Sequence, residues 1–355
     1  MPISVVVGGQ FGSEGKGKVA LAIARETRAR IVVRVGGTNS GHTAVDDAGK
    51  TWALRQLPVS VLAPTATAVL PPGAIIDPEI FHREISELKI ARRRVIVSPW
   101  ATVISKVDKE AERADGLVDR IGSTGSGTGA ALVRRIQRQD GKHTLAKDCR
   151  SLREYLADTA SVMREALNRN DRVVIEGSQG FGLSVLHGGY YPKATSRDTT
   201  AATFLGESGL SPRDVDDVAL VLRCHPIRVA GKSGPLKGET SWAEIAKKAG
   251  LPADYVELTT ATKRVRRVGT FDAELVKRAI DANSPSRIVL NHFDYVDAGV
   301  REHSFNDRSR EFLAMVEDSI GHRIDWIGIS PEEFIDRAEV GDTRPSRTLK
   351  VLAPS

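Results

Sequence analysis

Cysteine is nearly absent: Cys149 and Cys224 stand alone, with no CxxC or Cys/His spacing beside either. That argues against a disulfide framework and a zinc site, and it fits a reducing cytoplasm. Long apolar runs are missing too. None approaches the ~20 residues that span a bilayer, so no membrane partner is expected. The opening MPISVVVGG carries no basic stretch ahead of its apolar one, and it reads as a strand entering a glycine turn rather than as a signal peptide. Aromatic residues make up only 5% of the chain, with none in the basic turn Lys263–Arg267. Interleaved rings on which single-stranded nucleic acid could stack are therefore lacking. The net charge of +6 is better matched to small phosphorylated substrates than to a nucleic-acid partner. Without repeats or low-complexity linkers, the 355 residues read as one domain, 1–355.

What is present is a regular alternation. Short β-branched apolar runs fall at Ile3–Val7, Ile31–Val35, Val95–Val97, Val173–Ile175, Val218–Leu222, Ile288–Leu290 and Ile324–Ile329. Helix-period segments separate them: Lys16–Thr27, Asp77–Lys89, Ser105–Asp115, Ser151–Asn168, Phe271–Asn283 and Ser304–Ile320. Fully apolar strands alternating with amphipathic helices predict an α/β fold, a mainly parallel central sheet with helices on both faces. Ligands of such sheets bind beyond the carboxyl ends of the strands.

Two glycine-bearing stretches occupy those ends. Val5–Lys18 reads VVVGGQFGSEGKGK, a strand, a turn and a helix start near Gly15. Unpaired helix N–H groups, close backbone approach and Lys16 or Lys18 together suit a phosphate. The spacing is not the usual P-loop, since Gln10 and Gly17 stand where glycine and Ser/Thr would be required. After the second strand, Gly36–Thr43 reads GGTNSGHT and places His42 in a small-residue loop. From there it could donate to a developing anion or act as a general acid.

Together these stretches resemble the adenylosuccinate synthetase family, whose hallmarks are G-x-Q-[WF]-G-D-E-G-K-G-K and N-x-G-H-T. The likeness continues in family order. Ile121–Gly129 (IGSTGSGTG) resembles the loop that holds the nucleotide monophosphate, Glu176–Gly182 (EGSQGFG) the E-G-x-Q-G segment, and Ala194–Thr200 (ATSRDTT) the T-S-x-x-T-T turn. Thr259–Gly269 (TTATKRVRRVG) resembles the arginine-rich aspartate loop, and Asn291–Asp294 (NHFD) stands where the family has T-K-L-D. The resemblance implies a P-loop NTPase-like fold and a C–N ligase. Such an enzyme phosphorylates O6 of a purine monophosphate with a nucleoside triphosphate and Mg²⁺, then displaces the phosphate with aspartate.

Carried over by position, the catalytic set is Ser13, Lys16, His42 and Gln179. Gly12, Glu14, Gly15, Gly17, Lys18, Asn39 and Thr43 would hold the phosphates of the donor. Asp294, with Gly328 and Ser330 of WIGISP, would hold its base. Ser123, Thr124, Gln179, Thr195 and Arg138 would bind the purine monophosphate, with Arg138 reaching in from a neighbouring subunit of a homodimer. Thr260, Thr262, Arg264 and Arg266 would take L-aspartate, since a dicarboxylate suits bidentate guanidinium partners. Ser13 and the Gly41 carbonyl would be the Mg²⁺ ligands.

Two departures qualify the likeness. Position 13 is serine where the family has aspartate, its N1 base and a Mg²⁺ ligand, and a hydroxyl gives up its proton far less readily than a carboxyl group. A phage-encoded branch of the family that acts on dGMP also carries serine here, and this chain resembles that branch. Its product, N6-succino-2-amino-2′-deoxyadenylate, is a precursor of diaminopurine in DNA, and its setting would be the host cytoplasm. The alternative is an ordinary member using IMP, aspartate and GTP, its base relocated to a water held by Gln179. A remote alternative is a nucleotide-dependent nucleic-acid-binding protein. The second departure, NHFD, replaces the lysine and leucine of T-K-L-D and favours ATP or dATP over GTP as donor. The chain is also shorter than usual for the family, with losses expected in the Ala44–Pro72 region and after the aspartate loop.

Overall fold

A computed structural model describes residues 2–138, 145–259 and 263–340. Nine strands form one sheet. Across it they run Phe334–Asp336, Trp326–Gly328, Arg287–Asn291, Val215–Arg223, Ile3–Gly8, Val173–Glu176, Ile31–Arg34, Thr67–Leu70 and Val95–Val97. Every neighbouring pair is parallel except the outermost, where Phe334–Asp336 runs antiparallel to Trp326–Gly328. The first strand lies at the centre. From it the chain crosses to Ile31–Arg34, leaving a gap that Val173–Glu176 later fills, and from there it returns to the other side at Val215–Arg223. A reversal of this kind opens a crevice at the carboxyl edge.

The strands are buried on both faces, which is why they are apolar throughout. Alternate residues of the first strand serve different cores. Ile3, Val5 and Val7 pack with Met163, Phe204, Leu275 and Leu313 from helices on one face. Val6 packs with Val19, Ile23 and Phe81 from Lys16–Glu26 and Pro78–Leu88 on the other. Each such buried side chain stabilises the fold by about 1.5–3 kcal/mol.

All seven apolar runs read from sequence contribute strands to this sheet, the last as Trp326–Gly328. Thr67–Leu70 and Phe334–Asp336 are additional. The helix expected over Ser151–Asn168 is instead two pieces, a 3₁₀ turn Arg150–Tyr155 and an α-helix Thr159–Asn168. Asp158 separates them because its carboxylate caps the second piece, accepting from the N–H groups of Ala160 and Ser161. Among the described residues, no helix is long and apolar enough to cross a membrane.

Candidate active site

The first strand ends at Gly8, and helix Lys16–Glu26 begins after Gly15, which has φ 93° and provides no side-chain cap. The N–H groups of the first turn therefore remain available to an anion. A Cβ at Gly15 would come within 2.5 Å of Asn291 Nδ2, and one at Gly17 within 2.7 Å of His42 Cβ. Only glycine lets the helix start lie this close to both neighbouring loops. Glu14 faces inward rather than toward a ligand. Its Oε1 accepts from the N–H groups of Gln10 (3.2 Å) and Gly12 (2.7 Å), and its Oε2 pairs with Lys16 Nζ at 2.6 Å. Its part is to shape the loop and hold the lysine.

Ser13 is the non-glycine residue of that loop with positive φ, at 57°. Its carbonyl accepts from Arg223 Nη1 at 3.1 Å. Arg223 ends the neighbouring strand and is itself clasped by Gln10, whose side-chain amide bonds both its N–H and its carbonyl. The end of one strand and the loop after another thus hold the Ser13 backbone in place.

His42 stands on a charged foundation. Its Nδ1 lies 2.5 Å from Glu176 Oε1 and is also met by Arg34 Nη1, and Glu176 pairs with Arg34 Nη1 at 2.9 Å and accepts from Ser60 Oγ at 2.9 Å. Burial drives the Glu176 carboxyl upward, but His42 and Arg34 more than reverse this and leave it at about 2. Burial, reinforced by Arg34, lowers His42 to about 3 against the pull of Glu176. The ring is therefore neutral, and its buried Nε2 has no hydrogen-bond partner among the described residues.

Two cavities meet at this point. The first is bounded by Phe11, the 121–129 loop, Gln179 and the 194–196 turn. The second lies between helix Lys16–Glu26 and the segments around Tyr255, Asp294 and Ser330. Ser13, Lys16, Gly41, His42 and Arg266 line both. Gly12, Asn39, Ser123, Thr124, Gln179 and Thr195 line only the first. Gly15, Gly17, Lys18, Thr43, Asp294 and Ser330 line only the second. The first carries Lys16, Arg55, Lys193, Arg228 and Arg266 against the lone carboxylate of Glu112, an excess that suits an anionic occupant.

Several sequence expectations shift in place. Lys18 donates to the carbonyls of Ser330 (2.6 Å) and Glu333 (2.8 Å), so it braces the wall of the second cavity as well as lining it. Gly328 lines neither cavity; a side chain there would strike Asn291 Oδ1 and Lys18 Nζ. Arg264 is exposed and lines neither, its backbone paired with Thr259. Arg138 is exposed just past helix Thr128–Ile136 and also lines neither. Thr260 and Thr262 lie outside the described residues. Asp294 is buried, and Arg301 directs both Nε (3.1 Å) and Nη2 (2.5 Å) onto its Oδ2. No group of three or more His, Cys, Asp or Glu side chains that could hold a metal ion occurs among the described residues.

Sequence reasoning assigned no role to Arg34, Glu176, Arg223 or Glu257. Three of these are the last residues of apolar strands. A charge closing such a run points into the ligand-binding edge, and that signal was available.

The sequence profile of the adenylosuccinate synthetase family matches residues 5–144 and 140–302. The chain belongs to this family. It is therefore an α/β C–N ligase whose relatives use a nucleotide monophosphate, aspartate and a nucleoside triphosphate. The adenylosuccinate synthetase of Thermococcus onnurineus is 37% identical over 349 residues, covering 96% of this chain and 99% of the relative. That of Methanocaldococcus jannaschii is 37% identical over 337 residues, 93% and 94% of the two chains. Against these archaeal enzymes the chain is not shortened. Among solved structures, the cyanophage S-2L succinoaminodeoxyadenylate synthetase (PurZ), bound to dGMP and dATP as an energy donor, superposes with a TM-score of 0.80. It is 29% identical and covers 96% of this chain and 97% of its own. The fully ligated adenylosuccinate synthetase of Plasmodium falciparum gives the same TM-score at 22% identity and shares the fold.

Proposed function

We propose that this ligase joins L-aspartate to C6 of dGMP, using ATP or dATP, to give N6-succino-2-amino-2′-deoxyadenylate for diaminopurine DNA. The observation that carries the reading is Ser13. It stands where the two cavities join, and none of the residues common to both is a carboxylate. A guanine base brings an amino group at C2 that hypoxanthine lacks. A small neutral hydroxyl, on a backbone held by Arg223, leaves room for that group and can accept from it. The likeness to the dGMP-bound cyanophage enzyme supports the same reading.

The triphosphate would lie in the second cavity, its γ-phosphoryl between the free N–H groups of helix Lys16–Glu26 and Lys16. Ser13 and Gly41, which line both cavities, would offer Mg²⁺ neutral oxygens at the junction. That set fits an ion whose remaining ligands are triphosphate oxygens and water. When bound, the metal would neutralise charge on the transferring group. The purine monophosphate would fill the first cavity, with Gln179 beside the base and Ser123, Thr124 and Thr195 around its phosphate. An arriving phosphoryl anion raises the His42 pKa, and the protonated ring then donates from Nε2 to the oxygen gaining charge. Glu176 holds the other ring nitrogen and so fixes which nitrogen faces the reaction.

For the donor base, Oδ2 of Asp294 is committed to Arg301, which leaves one carboxylate oxygen for the base. One acceptor matches the single amino group of adenine, whereas guanine offers two adjacent donors. The homodimer belongs to the same proposal: exposed Arg138 follows a helix that also exposes Val133 and Ile136, a face suited to a second copy.

A second reading, an ordinary adenylosuccinate synthetase acting on IMP with GTP, is favoured by the higher identity of the archaeal relatives. Purified enzyme assayed with dGMP, GMP and IMP, each with aspartate and ATP, dATP or GTP, separates the two. Turnover of IMP matching that of dGMP would overturn the dGMP reading.

A further inference from the structure

Three groups with different duties converge on one carboxylate. Glu257 accepts from Arg223 Nη1 (3.2 Å) and Nη2 (2.6 Å), and from the Tyr295 hydroxyl at 3.3 Å. It also pairs with Arg266 Nε at 3.3 Å. Each partner reaches into a different part of the site. Arg223 holds the Ser13 carbonyl. Tyr295 lines the second cavity, its hydroxyl 2.6 Å from that of Tyr255. Arg266 lines both cavities.

The way Arg266 is held is informative. Its Nε is used by Glu257 and by the Leu258 carbonyl at 3.2 Å, while neither Nη group has a hydrogen-bond partner among the described residues. The guanidinium is thus gripped at Nε on a residue that lines both cavities, and its two Nη groups are left to a ligand. A guanidinium fork presented this way matches a carboxylate in two parallel hydrogen bonds, and fixing it beforehand lowers the ordering cost of binding. A long side chain without such a grip would lose that advantage.

We propose that Glu257 is a positioning residue that presents the Arg266 fork to the incoming amino acid. Arg223 keeps its own bonds to the Ser13 carbonyl and to Gln10, so the Ser13 loop does not depend on Glu257 alone. The inference rests on the reading of Arg266 as an aspartate contact. Glu257 lines the second cavity beside Arg266, with its oxygens taken up by Arg223, Tyr295 and Arg266. Desolvation pushes the Glu257 carboxyl up, but Arg223, aided by Arg266, more than reverses this and keeps it ionised, so the grip persists across the neutral pH range.

The test compares Glu257→Gln, Glu257→Asp and Arg266→Ala, reading KM for each substrate. It also follows scrambling of labelled β,γ-bridge oxygen in the triphosphate without aspartate, which reports phosphoryl transfer alone. For Glu257→Gln we expect aspartate KM to rise about tenfold or more, with purine KM and scrambling within about threefold of wild type. Glu257→Asp, charged but one methylene short, should recover part of the loss. If Glu257→Gln does not fold, Glu257→Asp carries the test, and an unchanged aspartate KM in it overturns the proposal. Equal loss of scrambling and of aspartate use also overturns it, since that marks a general scaffold. If Arg266→Ala leaves aspartate KM unchanged, the aspartate assignment itself fails. If Arg266→Ala raises it while the Glu257 variants do not, only the present inference fails.

Discussion

Replacing Ser13 by aspartate restores the family's side chain at the point where the two cavities join, and it should redirect the enzyme toward IMP. The backbone tolerates the change, because φ at position 13 is 57° and aspartate is among the residues that enter the left-handed region at low cost. Arg223 grips the carbonyl rather than the side chain, so the loop is held as before. Two effects then act against a 2-amino purine. The larger side chain intrudes on space the amino group needs, an overpacking worth about 1–3 kcal/mol. The hydroxyl acceptor is also displaced, at about 0.5–1.5 kcal/mol for one neutral hydrogen bond. Together these amount to about 1.5–4.5 kcal/mol, or roughly 10- to 2000-fold in the dGMP:IMP ratio of kcat/KM. The measurement is that ratio for wild type, Ser13→Asp and Ser13→Ala under identical ATP and aspartate. Ser13→Ala adds no bulk, so it should lose only the hydrogen-bond part. A Ser13→Asp ratio within threefold of wild type would refute the idea that position 13 reads the C2 substituent.

Other outcomes follow from the buried charges. Glu176→Gln leaves Arg34, only 1% exposed, without its counter-charge; a loss of about 3–5 kcal/mol should appear as a lowered urea midpoint together with lost turnover. Glu176 and Glu257 both sit at about 2 in the fold, against an ordinary 4.5. Their folded values lie below their unfolded ones, so the stability they contribute is complete above about pH 4.5 and is lost as pH falls from there toward 2. Urea midpoints at pH 7, 4.5 and 3 should show this decline, and Glu257→Gln should flatten it; an equally steep decline in the variant would remove Glu257 from the account. Asp294→Asn exchanges a charged acceptor for a neutral one at the donor base, worth about 1.5–3 kcal/mol. Triphosphate KM should rise at least about tenfold while the KM for the purine monophosphate holds; a rise in both would place Asp294 outside base recognition.

What the sequence disclosed and what it hid divide along a physical line. Strands such as Val173–Glu176 were legible because burial on both faces demands an unbroken β-branched run, and the phosphate loop because a helix start near an anion demands glycine at set positions. Phe334–Asp336 was not, since a three-residue edge strand pairing with one neighbour needs too few apolar residues to stand out. Glu257 was hidden for a different reason. Its partners are Arg223, 34 residues away, and Tyr295, 38 residues away, and no local period links them. Yet part of this network was accessible without coordinates. Ile31–Arg34, Val173–Glu176, Val215–Arg223 and Arg287–Asn291 all end in a charged or amide side chain after an apolar run. In a parallel sheet those ends face the ligand crevice, and a charge placed there is desolvated unless another such end answers it. Arg34 and Glu176 answer each other across adjacent strands. Asn291 reaches the Glu14 carbonyl, while Arg223 has no acid at a strand end and must find one in a loop. That unmatched arginine is why Glu257 is where it is.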